Sequence, residues 1–158
     1  MQLATYLGLL SRSEETLGAA FDTIGQGHSR DAGIYFICRL LSGQCAEHVA
    51  DLAPVCDRYG PGGDPERLHV PGVPEARDGE LGLLRDLQEL HTLATFVGST
   101  WLVVSQTAQG LRDDELLALA KRCSAQTTGQ VTWAQSQLKS IAPQALIIGS
   151  APQASVTG

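Results

Sequence analysis

Four stretches of this chain repeat apolar residues at three- and four-residue intervals, and none shows the period-two alternation of a half-buried strand. In the first, Leu3, Tyr6, Leu7, Leu10, Leu17, Phe21 and Ile24 share one helical face. The second carries Ile34, Cys38, Leu41, Cys45, Val49, Leu52 and Cys56, and the fourth Leu116, Leu119, Cys123, Thr127, Val131, Ala134, Leu138 and Ile141. The third is apolar on nearly every side between Leu90 and Val104, a pattern that predicts burial on more than one face, at a central position or a subunit interface. Four one-sided helices bury their stripes only against one another. The expectation is therefore an all-α, up-down-up-down four-helix bundle.

The punctuation sets helices at about 2–25, 30–59, 79–110 and 113–141, with Ser29 as the cap of the second and Pro143 ending the fourth. Residues 60–79 hold four of the seven prolines and five of the seventeen glycines, so no regular element survives there. That loop (60–78) is the long connection between helices two and three, a lid or a linker. The bundle domain spans residues 1–142. A tail at 143–158 follows, in which "ALII" docks and the last residues are disordered.

Net charge is −6, and the eleven Lys and Arg form no basic stripe, which argues against nucleic acid as a partner. No apolar run is long enough for a bilayer, and the first residues lack a basic n-region. A cytoplasmic protein is expected. Cys38, Cys45, Cys56 and Cys123 show no metal spacing and read as small core residues in a reducing compartment. No phosphate-binding loop, HExxH or GxSxG motif is present.

Polar side chains interrupt the stripes. Glu14 sits in line with Leu10, Leu17 and Phe21. Either it enters the core, or "SRSE" is a capping box that starts the helix at Ser11 and leaves Glu14 on the surface. His48 falls about 80° from Cys38, on the flank of its core face. His91 is in line with Leu84, Gly98 and Leu102, and the fourth stripe carries Thr127 with Gln130 nearby. In an up-down-up-down bundle Glu14 lies level with Gln44, His48 with His91, and His91 with Thr132. A buried carboxylate must be paired, protonated or bound to a cation. One carboxylate and two imidazoles are a ligand set for a single Fe, Zn or Mn ion, so Glu14, His48 and His91 form a candidate metal layer, with Gln130 and Thr127 orienting the ligands. The bland reading makes His48 a half-exposed residue and His91 a hydrogen-bonded core histidine.

The four helices resemble the ferritin-like class in architecture. The di-iron motif of that class, Glu-x-x-His on two helices, is not matched: Glu47 and His48 are adjacent, and Glu89 and His91 are two apart. The resemblance therefore implies a fold and no ferroxidase or oxygenase activity. Three roles are compatible with these residues. One is a structural or accessory protein that forms a homo-oligomer or docks a protein partner through the third helix. Another is a mononuclear metal protein. The last is a small-molecule carrier with a pocket among His91, Trp101 and Trp133.

Overall fold

The computed structural model describes residues 1–64 and 70–148. It contains four helices, α1 (Gln2–Gly27), α2 (Ala32–Tyr59), α3 (Gly79–Leu111) and α4 (Asp114–Leu146), and no strand among the described residues. The expected disorder of the last residues falls on 149–158, outside the described residues.

Local chemistry sets most boundaries. Asp31, rather than Ser29, caps α2: its Oδ1 accepts from Ile34 N at 3.1 Å. Asp113 does the same for α4, accepting from Leu116 N at 3.0 Å. Arg112 ends α3 in the left-handed region, at φ 56°. The fourth helix passes Pro143 and continues to Leu146, one turn beyond the expected end. Proline there removes a single helical hydrogen bond, and burial of Ile141 and Ala145 against the core holds the turn in place.

The core takes most of the stripes read from the sequence, with Leu10, Leu17, Phe21, Ile24, Leu52, Leu87, Leu90, Trp101 and Leu116 fully enclosed, while Tyr6, Val49, Cys56, Leu119, Val131 and Leu138 are only partly buried. The α1–α2 seam is narrow. A side chain at Gly25 would bring its Cβ within 2.7 Å of Cys38 Cβ, so glycine and cysteine together let the two helices close up. Three of the four cysteines, Cys38, Cys45 and Cys123, are buried, and all four are unpaired thiols.

The helix directions differ from the expected order. Gly25 meets Cys38 and Gly18 meets Cys45, so α1 and α2 are antiparallel. Glu14 reaches Trp101 and His28 reaches Asp86, which makes α1 and α3 antiparallel as well. Asp51 pairs with Arg122 and Gln44 with Gln130, so α2 and α4 are antiparallel. Helices α2 and α3 therefore run the same way on opposite corners of the bundle, and the succession is up-down-down-up rather than up-down-up-down.

The cause is the strap at 60–78. Its described residues, 60–64 and 70–78, lie beside α1, the first near the start of that helix and the last near its end. Gly62 lies on the backbone of Ala4 and Thr5, where any Cβ would fall 2.5 Å from Thr5 N. Gly63 N donates to Thr5 Oγ1 at 2.9 Å, Gly72 rests on Thr16, and Arg77 ends beside His28 on Asp86. Extended chain of that length covers roughly 60 Å, more than the roughly 40 Å of α2.

Candidate functional site

Glu14 is in the core, with no exposed surface. The helix begins at Gln2, so "SRSE" lies in mid-helix and Ser13 Oγ bonds back to Leu9 O at 2.7 Å. Glu14 Oε1 accepts two hydrogen bonds, from His48 Nδ1 at 2.8 Å and from Trp101 Nε1 at 2.7 Å. The other imidazole nitrogen, Nε2, donates to Gln126 Oε1 at 2.6 Å. The His48 ring stands edge-on to Trp101, with centroids 6.0 Å apart and planes at 85°. Each helix thus contributes one residue to a single hydrogen-bonded layer.

With both ring nitrogens facing acceptors, His48 is an imidazolium. Burial alone pulls its pKa down. Hydrogen bonding with Cys123, Glu14 and Gln126, together with the Glu14 charge, outweighs burial and raises the pKa from 6.5 to about 10. Glu14 and His48 form a buried ion pair, a better-placed partnership than the flank position predicted for His48. The nearby thiols stay protonated: burial and the Glu14 carboxylate push Cys45 up, and burial with the Asp22 charge pushes Cys38 up to about 12. Neither is an activated nucleophile.

The other expected members stand apart. Gln130 is buried one turn beyond Gln126 and donates to Gln44 Oε1 at 3.1 Å. Thr127 Oγ1 bonds its own helix at Cys123 O, 2.9 Å away. His91 is half-buried and lies ten residues before Trp101 on α3, about 15 Å away along the helix axis. The structure brings Glu14 and His48 together and leaves His91 outside that layer. No group of three or more His, Cys, Asp or Glu side chains able to hold a metal ion occurs among the described residues. A ferritin-type di-iron centre does not fit, because His48 spends both nitrogens on Glu14 and Gln126. The residues expected to line a carrier pocket are also engaged elsewhere: Trp101 on Glu14, and Trp133 on the Phe21 ring at 6.4 Å.

Sequence reasoning missed Gln126, whose signal was its place one turn before Gln130. It also missed a second polar cluster at one end of the bundle. Asp86 is fully buried and accepts from His28 Nε2 at 2.7 Å, Arg77 N at 2.9 Å and Arg77 Nη1 at 2.7 Å. Its cue was an acid in "LLRDL", between Leu84 and Leu87 of the third stripe. This cluster ties the α1–α2 turn, the end of the strap and α3 to one carboxylate.

Both clusters are cross-links between elements. Both His48 nitrogens and the Trp101 indole N–H are spent within the first cluster, Glu14 Oε2 is buried without a hydrogen-bond partner, and four helices enclose the layer. No known protein family, no curated protein and no solved structure matches this chain. The fold and the site define an all-α protein of four packed helices with a buried Glu–His–Trp–Gln layer. No helix among the described residues is long and apolar enough to cross a membrane.

Proposed function

We propose that this chain is a ferritin-like bundle serving as a structural or partner-binding protein, and that it works through the outer faces of α3 and α4 rather than through its core. One long crossover and parallel α2 and α3 support the ferritin-like reading, since that class has a single long crossover. Protonated, unpaired thiols fit a reducing, cytoplasmic setting.

The observation that carries the reading is a surface without charge. Between Glu89 and Arg112 on α3, and between Arg122 and Lys139 on α4, there is no Asp, Glu, Lys or Arg. The outward positions there, among them Thr95, Ser99, Thr128 and Thr132, are nonetheless exposed. Leu102 and Val103 are 58% and 46% exposed on the same face, so the third helix is buried on one side only within the chain. A solvated helix face usually carries charge, and the centres of protein interfaces are depleted of it. An apolar groove of about 520 Å³ between the start of α1 and the end of α3, lined by Tyr6, Val103, Thr107 and Leu111, adjoins the patch.

The test is a photoreactive amino acid placed at Ser99 or Thr128, with Glu47 on the exposed side of α2 as the control position. Adducts at the first two sites and none at the third are expected. No adduct at Ser99 or Thr128 overturns the reading.

A further inference from the structure

The uncharged face has a size and a pattern that indicate what covers it. The strip on α3 from Thr92 to Gln109 is about 25 Å long, and with α4 beside it about 20 Å wide. A corrugated surface exposes more area than its projection, so this is the scale of the roughly 800 Å² per partner in a standard interface. Charge narrows the choice of occupant. With a net charge of −6, two copies of this chain repel one another wherever their acidic surfaces meet, and this face lets them approach without apposing like charges. A basic partner would gain nothing from it. Another exposed apolar pair, Phe36 and Leu40, flanks Arg39 and lacks this property.

The side chains are also self-complementary. Along the outward stripe of α3 the order is Thr95, Ser99, Leu102 and Val103, with Gly98 beside Ser99. An interface between identical faces about a twofold axis must place each residue against a different one, or against itself on the axis. With the axis at Ser99 and the two α3 helices antiparallel, Val103 of each copy falls over Thr95 of the other, and Leu102 lies one residue nearer the axis. Ser99, a small residue at the crossing, lets the helix axes approach to about 8 Å. An apolar residue thus meets a small one twice, and the smallest pair sits at the centre.

We propose that the partner for the α3–α4 face is a second copy of this chain, bound as a twofold dimer with α3 crossing α3 at Ser99. This rests on the reading of that face as an interface, and the experiment separates the two. Light scattering and sedimentation equilibrium of the full chain should give twice the 16.7 kDa chain mass. Leu102→Glu should weaken the dimer at least tenfold while leaving the helical circular dichroism and thermal midpoint unchanged. Ser99→Cys should form an intermolecular disulfide under mild oxidation, and Glu47→Cys should not, because only a residue on the axis meets its own copy within bonding distance. A dimer that ignores Leu102→Glu and gives no Ser99→Cys cross-link overturns both ideas. A chain that stays monomeric at millimolar concentration, yet yields photo-adducts of a different mass at Ser99, overturns the second copy and keeps the interface.

Discussion

Glu14 and Trp101 stand 87 residues apart in the chain, and the Trp101 indole donates to Glu14 Oε1 at 2.7 Å in the centre of the bundle. That bond crosses from the α1–α2 hairpin to the α3–α4 hairpin. The bond from His48 to Gln126 makes another such crossing in the same layer. Apolar stripes tolerate slippage by a turn, whereas a carboxylate with two fixed donors does not. The polar layer therefore sets the register in which the two hairpins close.

Removing one member should cost far more than removing the pair. Glu14→Ala strands the His48 imidazolium in an apolar core, and a loss of about 3–5 kcal/mol is expected in urea unfolding. Replacing Glu14 and His48 together by Met and Leu should recover part of it, because two apolar groups replace a costly ion pair while the Trp101 N–H and Gln126 Oε1 lose their partners. A double variant as unstable as the sum of the singles would show that the layer contributes stability in its own right.

The same pair makes stability depend on pH. His48 has a folded pKa of about 10 against 6.5 unfolded, so its contribution is full below pH 6.5 and disappears as the pH rises towards 10. The raised pKa values of Cys38 and Cys45 act in the same direction above pH 9, since the unfolded thiols ionise first. A His48→Leu variant separates the two effects: it should flatten the profile between pH 6.5 and 9 and leave the fall above pH 9. In the parent chain, the ¹⁵N shifts of the His48 ring should still report imidazolium at pH 8. A neutral ring at that pH would remove the basis of this prediction.

How much of this was legible depends on what each residue touches. The helices follow from stripes such as Leu3 to Ile24, because a 3.6-residue period is written within one element. Glu14 beside His48 was within reach, since a short turn fixes the α1–α2 register to within a turn of the expected Gln44. The level of His91 was not. Its placement assumed that α3 runs opposite to α2, and nothing in residues 60–78 states whether a loop of that length crosses the bundle end or returns along α1. Gln126 in place of Gln130 is an error of one turn between α2 and α4, helices that no short turn connects. Asp86 was hidden for a different reason: its partners, His28 and Arg77, lie in a turn and in the strap, where hydrophobic periodicity carries no information.

Asp113 joins α2 and α4 at the end of the molecule away from Asp86. It caps α4, accepts from the Tyr59 hydroxyl and pairs with Arg58 at 2.9 Å. The Tyr59 hydrogen bond, then the Leu116 amide and Arg58, hold its pKa down at about 2. Its contribution is therefore present above pH 3.8 and lost as the pH falls through 2. Asp113→Ala should cost about 1 kcal/mol at pH 7 through the lost cap, and Asp113→Asn less. Equal losses for the two variants would mean that charge, rather than the cap, is what Asp113 supplies.

Asp86 makes the last case, because its effect should be local before it is global. The strap end at Arg77 and the α1–α2 turn at His28 converge on this carboxylate. Asp86→Asn keeps the volume, removes the charge that Arg77 requires, and sets an amide N–H₂ against donors. The strap should then loosen at its α3 end while the bundle, held by its own core and by the Glu14 layer, stays folded. Trypsin should cut after Arg77 at least tenfold faster than in the parent chain, under conditions where the thermal midpoint drops by only a few degrees. Unchanged cleavage would mean that Val70 and Val73, packed against the core, hold the strap without help from Asp86. Global unfolding would mean that the buried carboxylate supports α3 itself.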